Sequence, residues 1–253
     1  MEKEVKTVYL SVLGCYGPYP PAGGACSGYL LEKEGFRVLL DCGNGVLSRL
    51  QDFIHLWELD AVVISHHHGD HTSDLNILRY ALDAACRRGQ RKEPLPLYAP
   101  PEPEEEFERL HYKNIYRPIP LEAGSLLQIG PFKFDFLPTV HSTPCLAMRV
   151  ESNPCTLVYS GDSGYFPLMA EFAHGADLFL CEAGYLEEEA GCRFPNHTSA
   201  SQAGLLASAA EVGRLVLTHL SPGGDRAEFE RRARENFPVV ETAREGRRYR
   251  VNS

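Results

Sequence analysis

The chain has 253 residues, 43% of them hydrophobic, with 34 acidic against 25 basic side chains and a formal net charge of −9. That length suits one large α/β domain or two small ones, with apolar material enough for a substantial core. No apolar run approaches the roughly 20 residues a membrane span needs, and an acidic chain has no general electrostatic pull on nucleic acid.

The opening Met1-Glu2-Lys3-Glu4-Val5-Lys6 is charged and leads straight into the strand-like Thr7-Val8-Tyr9-Leu10. This is not a secretory signal, and a cytoplasmic location is expected. The cysteines are Cys15, Cys26, Cys42, Cys86, Cys145, Cys155, Cys181 and Cys192, and none forms a C-x-x-C pair. Most have apolar or small neighbours, where cysteine behaves as a small hydrophobe. They are expected to be reduced structural thiols, with Cys192, in a Gly-rich loop, the most exposed. The basic clusters Arg87-Arg88, Arg91-Lys92, Arg231-Arg232 and Arg247-Arg248 read as solvated helix and hairpin faces.

In chain order, Val5 to Leu13 reads as a strand, followed by a Gly/Pro-rich loop from Gly14 to Gly28. Tyr29 to Glu32 and Phe36 to Leu40 read as a hairpin about Glu34-Gly35. Val46, Leu47, Leu50, Phe53, Ile54 and Trp57 share helical spacing. Ala61-Val62-Val63-Ile64 is a buried strand ending at Ser65, and a helix is predicted from about Ser73 to Arg88. Leu95 to Ala99 is a short strand, and Glu102 to Leu110 an acidic helix. Leu126 to Ile129, Phe132 to Pro138, Cys145 to Val150 and Cys155 to Tyr159 read as strands. Tyr165 to Phe172 is a short helix and Leu178 to Cys181 a strand. Ser199-Ala200-Ser201-Gln202 resembles a capping box opening a helix to about Val212. Leu215 to Thr218 is a strand, Asp225 opens a last helix, and Tyr249-Arg250-Val251 closes the chain. No linker or low-complexity segment interrupts this alternation. It reads as a single domain over residues 1–253, two β-rich halves each flanked by helices.

The densest chemistry lies in Ser65-His66-His67-His68-Gly69-Asp70-His71, where four good metal-binding side chains, His66, His68, Asp70 and His71, fall within six residues. The segment sits where a strand ends and a helix begins. His66 and His68 can leave the strand end on one side; Asp70 and His71, past the turn, can face a second point. Three further strands end on a potential ligand: His141 after Phe134–Val140, Asp162 after Leu157–Gly161, and His219 after Leu215–Thr218. In open α/β sheets ligands gather at the carboxyl ends of strands. One histidine after a strand is ordinarily a packed or surface residue; four such coincidences point to a metal site. The inventory fits a pair of ions. His66, His68 and His141 would hold the first, and Asp70, His71 and His219 the second. Asp162 would bridge both, with room for a bridging hydroxide. Two ions about 3.5–4 Å apart clamp the attacking and leaving oxygens of a displacement. Imidazole-rich ligation suits zinc, and the carboxylates are compatible with manganese or iron.

These residues resemble the metallo-β-lactamase superfamily. Its H-x-H-x-D-H signature reads His66-His67-His68-Gly69-Asp70-His71, and its later single ligands match, in order, His141, Asp162 and His219. Leu39-Leu40-Asp41-Cys42-Gly43 looks like its early aspartate motif, in which Asp41 would support the metal loop. The resemblance spans nearly the whole chain. It implies an αββα sandwich of the α/β (α+β) class, four layers deep, with a dinuclear site at one edge of the two sheets. The best-known class of true β-lactamases uses a cysteine where this chain has Asp162, which argues against antibiotic hydrolysis. Glyoxalase II-type thioester or lactone hydrolases and flavodiiron oxidoreductases share much of the ligand set. The latter normally need a flavin domain or partner, for which no sequence is left after His219.

Two further segments resemble ribonuclease Z. Leu178-Phe179-Leu180-Cys181-Glu182-Ala183 is similar to its H-E-A-T motif, with Cys181 in place of histidine, and Asn196-His197-Thr198-Ser199 to its H-S-T motif. Thr218-His219-Leu220-Ser221-Pro222 is also similar to its segment around the last ligand. The resemblance assigns catalysis to Asp70, Glu182 and His197. Glu182 orients the His197 imidazole, which protonates the departing alkoxide. Two departures stand out. The family's basic P-x-K-x-R-N loop should fall within Tyr16 to Gly28, which contains no Lys or Arg. The long tRNA-gripping arm should lie between His141 and Asp162, where there is room only for a hairpin. The closest resemblance is therefore to short, armless ribonuclease Z-like proteins. A small relative that cleaves cyclic ribosyl phosphates has members with a cysteine-rich zinc site, which Cys15 and Cys26 are too few and too far apart to build. The expectation is a dinuclear zinc hydrolase acting as a phosphodiesterase through a metal-bridging hydroxide, with thioester or lactone hydrolysis as the alternative. Its substrate would be a small phosphodiester, such as a cyclic nucleotide, or a short RNA end rather than tRNA, with no membrane partner. Related proteins are often homodimers, and a homodimer is one state open to this chain, whose oligomeric state the sequence does not give.

Overall fold

Glu34 and Gly35 both adopt positive φ, 55° and 82°, and Lys33 pairs with Phe36 across them. A two-residue turn with both central residues at positive φ matches the twist of a hairpin. It joins β2 (Gly28–Lys33) to β3 (Phe36–Leu40), beside β1 (Val8–Gly14). The computed structural model describes residues 7–186 and 195–251; Cys192 lies outside them. The next elements are α1 (Val46–Leu50), β4 (Ala61–Val63), α2 (Gly69–Thr72), α3 (Leu75–Arg87), β5 (Leu95–Ala99), α4 (Glu104–Glu108) and β6 (Tyr116–Pro120). The second half holds β7 (Leu127–Ile129), β8 (Phe132–Pro138), β9 (Leu146–Ser152), β10 (Cys155–Tyr159), α5 (Leu168–Phe172) and β11 (Leu178–Glu182). It continues with α6 (Ala200–Ala209), β12 (Leu215–Thr218), α7 (Arg226–Arg234), β13 (Val240–Thr242) and β14 (Arg248–Val251).

The strands form two seven-stranded sheets, ordered β14-β1-β2-β3-β4-β5-β6 and β13-β12-β11-β10-β9-β8-β7. Alternation along each strand builds the layers. Tyr29, Leu31, Val38 and Leu40 of the first sheet point into a core shared with Phe134, Met148, Leu157, Leu178 and Leu180 of the second. The intervening Leu30 and Leu39 point the other way, onto Val46, Leu50, Leu75, Leu78 and Leu82 of α1 and α3. Val158, Phe179 and Leu217 on the outer face of the second sheet meet Met169, Ala203, Leu206, Phe229 and Ala233 of α5, α6 and α7. Each large apolar side chain buried this way contributes about 1.5–3 kcal/mol. The result is the αββα sandwich expected from the resemblance.

Some elements depart from expectation. β6 carries Pro118 and Pro120, which lack a ladder donor; it survives because it is an edge strand, paired only with β5. The three-residue β13 is likewise an edge strand, too short for a periodic signal. The helical spacing from Val46 to Trp57 does not make one helix, since α1 stops at Leu50 and a 3₁₀ turn spans Leu56–Glu58. The helix predicted from Ser73 is α3, and an unexpected short helix, α2, precedes it inside the histidine segment. The short helix expected from Tyr165 begins only at Leu168, behind Pro167. The last strand leaves the second half and pairs antiparallel with β1. The Ser199–Gln202 capping box is present, and Asp225 caps α7 through the Ala227 N–H. The seven cysteines in the described residues are free, all buried except the half-buried Cys86. No helix among the described residues is long and apolar enough to cross a membrane.

Candidate metal centre

The site is assembled by loops at the carboxyl ends of strands from both sheets. β4 leads into His66–His71, β8 into His141, β10 into Asp162 and β12 into His219, while β3 ends at Asp41 and β11 at Glu182. The histidine segment is locked down by the Asp41-Cys42-Gly43 turn. The Cys42 N–H donates to the His71 carbonyl (2.7 Å), and the Asp74 N–H to the Cys42 carbonyl (3.1 Å). A Cβ on Gly43 would collide with the Asp70 carbonyl, so only glycine lets the two turns approach this closely. Asp41 and His219 themselves hold left-handed φ values of 57° and 53°, conformations that persist only where the surroundings over-determine them.

The seven residues expected as ligands come together in two groups. The ligand atoms of His66, His68, His141 and Asp162 lie within 4.8 Å of one another, as do those of Asp70, His71, Asp162 and His219. In the first group, His66 Nε2 and His141 Nε2 each stand 3.1 Å from His68 Nδ1. Asp162 belongs to both: its Oδ1 is 3.3 Å from His71 Nε2, and its Oδ2 is 3.2 Å from His219 Nε2 and 3.7 Å from His66 Nε2. Asp70 Oδ2 is 3.1 Å from His219 Nε2.

The hydrogen-bond network fixes which nitrogens carry protons. The Ser65 hydroxyl donates to Asp41 Oδ2 (2.8 Å), which leaves its oxygen to accept from His66 Nδ1 (3.0 Å). His71 Nδ1 donates to Asp41 Oδ2 (2.7 Å), and His141 Nδ1 to the Asn196 carbonyl (3.1 Å). Each imidazole therefore aims the lone pair of its Nε2 at the cluster. Lone pairs and carboxylates converging within each group favour a cation between them. Consistent with that, His71 Nε2 and Asp162 Oδ1 are buried polar atoms without a hydrogen-bond partner. The donor set thus fits metal binding.

The electrostatics agree. Burial pushes His66 well below its ordinary pKa, keeping it a neutral donor. Burial also opposes charge on Asp162, but His219 and His71 outweigh it and hold the carboxyl well below the usual range. Burial disfavours a charged His71 as well, yet Asp162 and Asp41 raise it well above its ordinary value. Those paired carboxylates favour positive charge at this point, whether a proton or a metal supplies it.

Glu182 and His197 lie alongside. His197 Nδ1 is 3.1 Å from Glu182 Oε2, and its ring stacks on His219 at 5.4 Å between centroids. Glu182 is fully buried, and its other oxygen accepts from the Ser163 N–H. Burial, then the charge of Asp162, push its carboxyl well above the usual range. The His197 side chain is 28% exposed, so it is the member of the pair that meets solvent. Several residues here carry little signal in the sequence. His67 turns away from the centre, its Nε2 2.7 Å from the Pro100 carbonyl. Ser65, Tyr159 and Gly17 all touch the ligands or their partners. Only Ser65, adjacent to the cluster, had any local signal.

Two kinds of comparison agree with this architecture. The family description "Beta-lactamase superfamily domain" matches residues 36–220. The chain is 36% identical to the probable metallo-hydrolase YhfI of Bacillus subtilis over 228 residues, covering 90% of this chain and 93% of that one. The crystal structure of YhfI superposes with a TM-score of 0.93 at 34% identity, over 96% of this chain and 99% of that one. The chain therefore belongs to the β-lactamase superfamily and is a metallo-hydrolase with the metallo-β-lactamase fold. The ribonuclease Z of Methanopyrus kandleri is 26% identical over 287 residues, 97% of this chain and 99% of that one. The human short-form tRNase Z shares the fold, with a TM-score of 0.76 at 20% identity over 97% of this chain and the whole of that one.

Proposed function

We propose that this hydrolase is a dinuclear zinc phosphodiesterase acting on small phosphodiesters or short RNA ends. The observation that carries this reading is the Glu182–His197 pair, 3.1 Å apart, stacked against His219 of the second ligand group. His66, His68 and His141 would hold one ion, Asp70, His71 and His219 the other, and Asp162 would serve both. When bound, the ions supply Lewis acidity toward the phosphoryl oxygens and a nucleophile available at neutral pH. Glu182 accepts from His197 Nδ1 and so orients the ring. His197 Nε2 is then free to give a proton to the departing alkoxide, whose loss is otherwise slow. Asp41 and the Asn196 carbonyl keep the ligand imidazoles turned toward the centre.

Substrate size follows from the loop over His219. Gly17 lies against the His219 ring, with no space for a Cβ. Tyr16 and the rest of this loop bring no basic side chain to the opening. Arg226, which reaches this loop from α7, is held by the Tyr16 hydroxyl (2.7 Å) and the Ala243 carbonyl. β9 and β10 form a tight hairpin where an RNA-gripping arm would stand. The resemblance to ribonuclease Z sequences supports phosphodiester chemistry; the missing basic groups favour substrates smaller than tRNA. The test is elemental analysis of the purified chain together with turnover of nitrophenyl phosphodiesters, cyclic nucleotides, a short RNA, a precursor tRNA and a thioester. Two zinc ions and preferred hydrolysis of a small phosphodiester are expected. Preferred thioester hydrolysis overturns the reading in favour of a glyoxalase II-type activity.

A further inference from the structure

We infer that Tyr29 and Tyr159 form a crossed brace between the two sheets that sets the affinity of the Asp70–His71–Asp162–His219 group for its ion. The inference rests on the dinuclear reading above. Tyr159 belongs to β10 of the second sheet, yet its hydroxyl donates to Asp41 Oδ2 (2.7 Å) at the end of β3 in the first. Tyr29 belongs to β2 of the first sheet, yet its hydroxyl pairs with Thr218 Oγ1 (2.5 Å) at the end of β12 in the second. The two rings meet edge to face at 5.1 Å, both buried within the sandwich.

Each arm of the brace ends one step from a ligand of the same group. Asp41 Oδ2 also accepts from His71 Nδ1 (2.7 Å). Thr218 is followed directly by His219, whose backbone is held in the left-handed region. Asp41 takes four donors in all: the Ser65 N–H, the Ser65 hydroxyl, His71 and Tyr159. Three of them share Oδ2, and Tyr159 is the one that arrives from the opposite sheet. It therefore ties the plane of the carboxylate, and through it the His71 ring, to the sheet that delivers Asp162 and His219. Without this tie, the His71 ring would lose one directional link to the second sheet. Its distance from His219 would be left to apolar packing, which is not directional, and to backbone bonds such as Leu146 N–H to the Ser65 carbonyl (3.0 Å) and Leu220 N–H to the Cys15 carbonyl (2.9 Å). The first group relies less on the brace. His68 lies outside it, His141 is oriented by the Asn196 carbonyl, and His66 reaches Asp41 only through Ser65. Tyr29 and Tyr159 are thus positioning residues for the second group. Groups that orient a metal ligand in this way change metal affinity by roughly 10–100-fold when removed.

The experiment is zinc affinity of the full chain by chelator competition, resolved into two binding steps, for wild type, Tyr159→Phe and Tyr29→Phe. It is paired with denaturant unfolding of the metal-stripped proteins and absorption spectra of cobalt-loaded samples. In both variants the ion of the Asp70–His71–Asp162–His219 group should lose affinity by about 10–100-fold, so that one of the two binding steps weakens, with the other unchanged and one component of the cobalt spectrum altered. Thr218→Val is nearly isosteric and breaks only the Tyr29 arm, so it gives the same reading if a phenylalanine variant does not fold. Equal weakening of both ions, or no change in either, overturns the brace. A wild-type chain that holds fewer than two ions overturns the dinuclear reading, and the brace with it. Two ions in wild type with unaltered variants overturns the brace alone.

Discussion

The two sheets contribute to the centre in different ways. The first delivers four polar side chains from one continuous segment, His66 to His71, clamped by backbone hydrogen bonds from the Asp41-Cys42-Gly43 turn. The second delivers His141, Asp162 and His219 one at a time, from loops after β8, β10 and β12. The first set is pre-shaped by local chain geometry. The second takes its shape from strand order, because β10, β11 and β12 run parallel and so place their carboxyl ends side by side. A site built half by a loop and half by a sheet should fail in two distinguishable ways when perturbed.

The largest effect is expected at the point where the halves meet. Asp162→Ala should take metal content from about two ions per chain to near none and abolish hydrolysis, whereas His66→Ala should mainly weaken the ion of the first group. Elemental analysis after gel filtration checks this. Full occupancy in Asp162→Ala would falsify the bridging role. His197→Ala tests the dispersed half without removing a ligand. It should keep both ions and slow turnover by roughly 10²–10⁴. The loss should shrink for a nitrophenolate leaving group, which needs no proton; an equal loss for good and poor leaving groups would remove His197 from the acid role.

Gly43→Ala probes the clamped half. Its Cβ meets the Asp70 backbone, and overpacking of this kind typically costs about 1–3 kcal/mol, read as a lower denaturant midpoint together with weaker zinc binding. In Gly17→Ala the methyl group presses on the His219 ring instead, so metal affinity should fall with a smaller change in stability. A Gly43→Ala protein as stable as wild type would show that the clamp yields easily. The smallest effect concerns salt. Each phosphate contact on a single strand adds about −0.7 to the slope of log affinity against log salt. For a short RNA the slope should stay shallower than about −2. A steep slope, measured by titration at several ionic strengths, would mean that the arginines near Arg87 or Arg231 grip the backbone.

Much of this arrangement is legible residue by residue. His66, His68, Asp70 and His71 announce themselves by density, and His141, Asp162 and His219 by each following an apolar strand. Glu182 and His197 become visible only beside a known motif, because a strand-end glutamate and a histidine before a helix are ordinary alone. β6 is hidden by its prolines and β13 by its length, since edge strands need fewer ladder donors than the rules for central strands assume.

The sandwich class entered through the family resemblance; what the sequence determined by itself is the alternation of strands and helices and the candidate ligands at the strand ends. These depend on side-chain type and on periods of two or 3.6 residues, which act over a few positions. Only the tertiary structure decided that the last strand returns to the first sheet and that Tyr29 and Tyr159 cross the core. The bond from Tyr159 to Asp41 joins residues 118 positions apart. No local pattern encodes such a pairing, because it exists only once two sheets have packed face to face and brought a buried hydroxyl within reach of a buried carboxylate.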